Sequence, residues 1–184
     1  MHERSPKATP LDTILYEIGM LRHCARTVSD KQAKYEDNRS DAAKAEYNLG
    51  IEGFLLHLRN VLAFLTNRVE KSTDLGINNP NLWAGEPVEQ SRYSDLIKRA
   101  KEVDQGYGGE NGSTCYDQIS KFLQHCTTLR HERAKNWDIE KIFADIDPVL
   151  ESFVERFVKA ARGSEDMVAG PGNSTVSPAV FRAG

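Results

Sequence analysis

Long apolar segments are absent from this chain of 184 residues. No stretch approaches the ~18 consecutive apolar residues that a membrane-spanning helix needs. The first ten residues, MHERSPKATP, lack the apolar centre of a secretory signal. We therefore expect no membrane segment and a cytoplasmic location.

Cysteines are also few, and the net charge is small. The three cysteines, Cys24, Cys115 and Cys126, form no Cys-x-x-Cys pair. Their odd number and their spacing predict neither a disulfide framework nor a metal site built from one helix. The net charge of -3 predicts no strong general affinity for nucleic acid. We expect no metal and no cofactor.

Strand-like alternation of apolar and polar residues is missing as well, and apolar residues recur instead at steps of three and four. This pattern predicts an all-α fold, a helical bundle of four main helices plus a short helix and a long packed loop. The segments are expected to begin at Thr9-Pro10, Ser40-Asp41, Ser94, Ser113 or Thr114, and Asn136 to Asp138. The short helix is predicted at Ser94 to Val103, and the loop between Ser72 and Arg92.

Three details of the helices remain open in the sequence. The polar stretch Lys31 to Arg39 either extends the first helix or forms a loop. Pro148 predicts a bend or two helices in near continuity, because proline removes a backbone hydrogen bond. Gly50 and Gly53 lie three residues apart in the most apolar helix and favour the close approach of a neighbouring helix.

The domain boundaries follow from where this periodicity starts and stops. Residues 1–9 are predicted to be an N-terminal extension and residues 10–163 the helical-bundle domain. Residues 164–184, rich in Gly, Pro, Ser and Thr, predict a flexible C-terminal tail.

Polar residues interrupt the second, most apolar helix, and they are the first candidate site. The residues are Glu52, His57, Arg59 and Asn60. Polar groups on a central helix need partners. These residues therefore lie on the solvated edge of the helix, satisfy buried helix ends, or line a cleft between helices. We take these four residues, together with His125, as the candidate binding residues.

A second candidate surrounds His125. Lys121 precedes it by one helical turn, and a neighbouring cation lowers the pKa of an imidazole. His125 would then be able to act as an acid–base group, with Lys121 or Arg130 holding a phosphate. The alternative is a histidine at a helix end, bonded to backbone carbonyls.

The segments FLLHLRNVLAFL (residues 54–65) and ISKFLQH (residues 119–125), followed by Arg130 and Trp137-Asp138, resemble a group of bacterial helical proteins. That group is similar to the HEPN superfamily, whose helical domains often dimerise. Many of its members are ribonucleases in toxin–antitoxin or defence systems, and others only bind nucleotides or proteins. The catalytic HEPN signature, an Arg followed after four to six residues by a His, is absent here, and Gln118 stands where the Arg would precede His125.

The resemblance therefore implies a non-catalytic binding or interaction protein that forms a homodimer and has a protein partner or RNA. Two alternatives stay open. One is a divergent, metal-independent ribonuclease that uses His125, and the other is a bundle that binds a small ligand or nucleotide.

Overall fold

The computed structural model describes residues 9–79, 89, 91, 93–109, 111–124 and 137–158. Within these residues the chain forms five α-helices and no strand, so the all-α prediction is confirmed. A π-helical turn, Val154–Val158, continues the last helix. The helices are numbered in chain order: α1 (Pro10–Asn38), α2 (Asp41–Leu65), α3 (Ser94–Gly106), α4 (Cys115–Gln124) and α5 (Ile139–Phe153).

Local capping explains where the first two helices begin and end. The Asp12 N–H donates to Thr9 Oγ1 and the Thr9 N–H donates to an Asp12 carboxylate oxygen, which forms a reciprocal capping box. Arg39 then takes the left-handed conformation (φ 52°) and ends α1. Ser40 accepts a hydrogen bond from the Ala43 N–H and starts α2. Both helix starts agree with the sequence prediction.

The polar stretch before Ser40 extends α1, so the first of its two predicted alternatives is confirmed. Its side chains have partners on α2. Lys34 Nζ lies 2.6 Å from a Glu46 carboxylate oxygen, and the Tyr35 ring stacks on the Tyr47 ring. A helix without a wide apolar stripe can continue where a neighbouring helix contacts it in this way.

Close packing of α1 on α2 occurs at the two glycines, as predicted. A Cβ at Gly50 would lie 3.1 Å from Lys31 Cδ, and a Cβ at Gly53 would lie 3.1 Å from Cys24 Sγ. These distances are tighter than ordinary van der Waals contacts, so α1 occupies the space that side chains at both positions would need.

Gly19, in the middle of α1, offers a contrast that tests this packing. A Cβ there meets nothing within 4 Å. Because glycine in a helix costs ~0.5–1 kcal/mol relative to alanine, we expect Gly19→Ala to raise the free energy of unfolding by about that amount. Urea denaturation measures the change. Gly53→Ala is the comparison. It should raise the free energy of unfolding by less than Gly19→Ala does, or should lower it. Equal gains in the two variants would contradict the close packing at Gly53.

All five helices contribute to one buried apolar cluster. α2 supplies the largest part, in keeping with its apolar sequence. Among the fully buried side chains are Leu21 of α1, Leu58 and Leu62 of α2, Leu96 of α3, Ile119 of α4, and Ile146 and Phe153 of α5. This cluster holds the helices in place around the cleft described below.

Pro148 does not divide the last segment. α5 is one helix from Ile139 to Phe153, so the alternative of two helices is wrong. Proline inside a helix costs ~3 kcal/mol. Val149, Leu150 and Phe153, which follow it, are almost completely buried, and each contributes about 1.5–3 kcal/mol. Their burial outweighs the hydrogen bond that Pro148 cannot make.

One of the remaining boundaries differs from the prediction, and the start of α4 agrees with it. α3 extends to Gly106, three residues beyond the predicted end. Thr114, one of the two predicted caps, starts α4, because its hydroxyl accepts from the Asp117 N–H.

In the predicted loop, Ile77 is buried and its N–H bonds to the Phe64 carbonyl, so this part packs on the bundle. Residues 80–88 of the loop, 1–8 of the extension and 159–184 at the C-terminus lie outside the described residues, and the predicted domain boundaries stay predictions.

Candidate functional site

Arg59 is held on α2 by two hydroxyl groups of α4. Its Nε donates to Ser120 Oγ at 2.7 Å, and its Nη2 donates to the Tyr116 hydroxyl at 3.0 Å. Its guanidinium carbon lies 4.8 Å from the centre of the Tyr116 ring, a cation–π distance. Among the residues that the structure describes, Arg59 has no carboxylate partner.

Arg68, just after α2, has the opposite environment. Its Nη2 lies 3.0 Å from an oxygen of Asp104, which is almost completely buried on α3. Its Nη1 lies 3.3 Å from Asp117, and its guanidinium carbon is 4.6 Å from the centre of the Tyr116 ring. The Thr114 N–H and, more weakly, the Arg68 guanidinium lower the pKa of Asp117. Two carboxylates therefore compensate the charge of Arg68.

A third set of polar contacts, around Glu17, joins α1 to α2. One oxygen of Glu17, Oε2, lies 2.7 Å from His57 Nδ1 and accepts from the Asn60 amide at 3.0 Å. The Tyr16 ring contacts the His57 ring edge to face. A neutral imidazole is sufficient for the contact with Glu17, since its Nδ1–H can donate.

Some of these residues, from α1, α2, α4 and the segment after α2, surround an open cleft of about 380 Å³. α1 provides Glu17, α2 provides Arg59 and Asn60, and α4 provides Tyr116. The segment after α2 closes one end with Arg68, Lys71 and Asp74, among other residues. The volume is in the range of about 300–1,000 Å³ that is typical of small-molecule sites.

The predicted site residues divide into four groups, three of them within the described residues. Arg59 and Asn60 line the cleft. His57 is buried behind Glu17, and Glu52 is partly buried on α2, but neither lines the cleft. Lys121 is exposed on α4.

The remaining two predicted residues, His125 and Arg130, lie outside the described residues. Their proposed acid–base and phosphate-holding roles stay predictions.

Among the cleft residues that sequence reasoning missed are Glu17, Arg68 and Tyr116. Glu17 lies between Ile14 and Ile18 on the edge of the apolar stripe of α1, and this position was a usable signal. Arg68 and Tyr116 gave no such signal, because each is a polar or aromatic residue near a helix end. Only the fold brings them together.

A second cleft, of about 410 Å³, lies between α3 and α5. Its lining includes Arg99, Glu102, Tyr107, Lys141 and Asp145. The Tyr107 hydroxyl donates to Asp145. Burial, together with this hydrogen bond and the Asp145 charge, raises the pKa of Tyr107 to about 12.

This raised pKa predicts a loss of stability at alkaline pH. The unfolded chain loses the Tyr107 proton near pH 10.0, and the folded chain only near 12. The contribution of Tyr107 is therefore complete below pH 10.0 and is lost as the pH rises toward 12. We expect Tyr107→Phe to flatten the fall of the urea midpoint over this interval. Titration of phenolate absorbance in Asp145→Asn should show Tyr107 ionising at lower pH. An unchanged titration would contradict the role of Asp145.

Metal-binding clusters and membrane-spanning helices are absent from the part of the chain that the structure describes. No group of three His, Cys, Asp or Glu side chains there is placed to hold a metal ion. No helix there is both long enough and apolar enough to cross a membrane. Cys24 and Cys115 are buried in the core, and burial raises the pKa of Cys24.

Comparison of the chain with protein-family models, with curated proteins and with solved structures finds no match. The resemblance to HEPN domains therefore stays a prediction from the sequence, and the geometry of the cleft is the available basis for a functional proposal.

Proposed function

We propose that this protein is a helical-bundle binding protein whose cleft holds a small ligand through an anionic group. The observation that carries the proposal is Arg59. Its guanidinium is partly buried at the cleft wall, and its partners within the described part of the chain are the uncharged hydroxyls of Ser120 and Tyr116.

The physical reason is the cost of burying a charge. A cation that is partly removed from water needs a counter-charge, and a bound anion provides one. Arginine has five N–H donors, and the described hydrogen bonds of Arg59 use only its Nε and Nη2 groups. The remaining donors suit a carboxylate or phosphate, which arginine binds with two parallel hydrogen bonds.

Arg68 has a supporting role in this proposal. Asp104 and Asp117 already compensate its charge, and both Arg68 and Arg59 contact the Tyr116 ring. The Tyr116 N–H also donates to Asp104 at 2.8 Å. Arg68 and Asp104 therefore position Tyr116, and Tyr116 positions Arg59. Arg59, which has no carboxylate partner in the described part of the chain, remains available to a ligand.

A binding measurement with two simple anions tests the proposal. Propionate and inorganic phosphate are titrated into the isotopically labelled protein, and shifts of the backbone amide resonances are followed. We expect at least one of these anions to shift resonances of residues that line the cleft. Arg59→Gln should weaken this binding tenfold or more, because it removes the charge and the paired donors. The affinity of Arg59→Lys for the anion should lie between the affinities of Arg59→Gln and of the unchanged protein.

The matched control is Arg26→Gln, which removes an exposed arginine from α1. Its affinity for the anion should equal that of the unchanged protein. Circular dichroism must show that the Arg59 variants remain folded. Equal affinities of Arg59→Gln and the unchanged protein, or no shift with either anion, would refute the proposal.

The other functional expectations stay proposals. They are a non-catalytic role, a homodimer, a protein partner or RNA, a cytoplasmic location and the HEPN-like relationship. Gel filtration with light scattering tests the dimer, and a monomer at high concentration would contradict it. The ribonuclease alternative requires RNA cleavage that is lost in His125→Ala while the fold is intact.

A further inference from the structure

We infer that the ligand of the cleft carries a cationic group as well as the anionic one, with Glu17 as the recognition group for the cation. The ligand class is thus a small zwitterion with an ammonium group and a carboxylate or phosphate. This inference rests on the proposed function, since it assumes that Arg59 binds the anionic end.

The Glu17 carboxylate has one oxygen that no described contact uses. His57 and Asn60 both contact Oε2, and the described contacts leave Oε1 without a partner. Glu17 lines the cleft, and its side chain is only 18% exposed. A carboxylate that is largely shielded from water is stabilised by a cation at its remaining oxygen.

The charges of Arg59 and Glu17 lie in the same cleft. Asn60 follows Arg59 directly on α2, and its amide contacts Glu17 at 3.0 Å. The cleft therefore presents both a guanidinium and a carboxylate, and the carboxylate is held by the residue that follows Arg59. These groups have no described contact with each other, and a small molecule with two opposite charges would complement both.

The cleft has two other acidic residues, Asp74 and the exposed Glu70, and Asp74 has a structural role. One oxygen of Asp74 accepts from the backbone N–H groups of Glu70 and Lys71, and this closes the turn after α2. Glu17 has no such backbone role and comes from a different helix. It is the better-placed carboxylate for an ammonium group.

The competing explanation gives Glu17 a purely structural function. In that case it satisfies the buried His57 and the Asn60 amide and does nothing more. Glu17→Gln separates the two explanations, because glutamine keeps an acceptor oxygen for both partners and removes only the charge. The structural explanation predicts no change in ligand preference.

The experiment measures affinities for three sets of probes by resonance shifts. The sets are straight-chain ω-amino carboxylates of increasing length, carboxylates of matched length without the amine, and matched alkylammonium ions. For the unchanged protein we expect one ω-amino carboxylate to bind at least tenfold more tightly than its matched carboxylate. In Glu17→Gln this ratio should fall to near one. The affinity for the simple carboxylate should stay the same or increase slightly, because a repelling charge is lost.

Asp30→Asn is the matched control, since Asp30 is an exposed carboxylate on the same helix. It should keep the tenfold preference. If carboxylates bind but ω-amino carboxylates bind no better, the inference is wrong and the proposed function stands. A preference that persists in Glu17→Gln also overturns the inference. If neither these probes nor inorganic phosphate binds, the proposed function itself fails.

Discussion

Replacing Phe153 by alanine is expected to lower the free energy of unfolding by about 4 kcal/mol. Phe153 is completely buried at the end of α5, and its ring packs edge to face against Phe64 of α2 at 5.3 Å between centroids. The variant loses the apolar area of the ring and leaves a cavity between the two helices. The loss is a large fraction of the ~5–15 kcal/mol by which a domain is usually stable.

Urea denaturation followed by circular dichroism measures this effect. Leu49→Ala is the control, because Leu49 is 65% exposed on α2, and its effect should be below about 0.5 kcal/mol. Phe153→Leu keeps most of the volume and should cost less than Phe153→Ala. Similar losses in Phe153→Ala and Leu49→Ala would show that α5 does not dock on α2 through this ring.

Replacing Arg68 by methionine is expected to cost about 3 kcal/mol, the second large effect. Methionine keeps much of the side-chain volume but removes the partner of Asp104, which is 2% exposed. A buried carboxylate without its cation is strongly unfavourable, and only the Tyr116 N–H would remain as a described partner. Because Arg68 is partly exposed, the expected loss in the free energy of unfolding lies at the low end of the usual range for breaking a buried ion pair.

A double variant makes this prediction specific. Arg68→Met with Asp104→Leu removes both charges, so much of the stability should return, although the Tyr116 N–H then loses its acceptor. The control is Arg156→Met, which breaks the exposed ion pair of Arg156 with Asp95 and should cost less than about 1 kcal/mol. If Arg68→Met and Arg156→Met have the same effect, the Arg68–Asp104 pair does not organise the cleft.

Several fold elements could be predicted because their causes are local in the chain. Thr9-Pro10 and Ser40-Asp41 are helix starts by their own capping chemistry, and both helices begin there. The apolar steps of α2 predicted its burial, and the pair Gly50 and Gly53 predicted the close approach of a neighbour. No distant residue was needed for these conclusions.

Other features could not be predicted because distant segments decide them. Residues 31–38 are helical next to Glu46 and Tyr47 of α2, and α5 passes through Pro148 because the residues after it are buried in the core. For the candidate site, the sequence predicted Arg59 and Asn60 as binding residues. It did not indicate that Glu17 would be their neighbour.

The sequence by itself thus determined the all-α class, the helix starts and the apolar faces, since these depend on residues within one or two turns of each other. The cleft was decided only by the tertiary structure. Its polar contacts join Glu17 to Asn60, Arg59 to Ser120 and Arg68 to Tyr116, and each pair comes from distant parts of the chain. Whether a charged side chain is paired, shielded or available to a ligand depends on such neighbours, and packing of the helices around the common core brings them together.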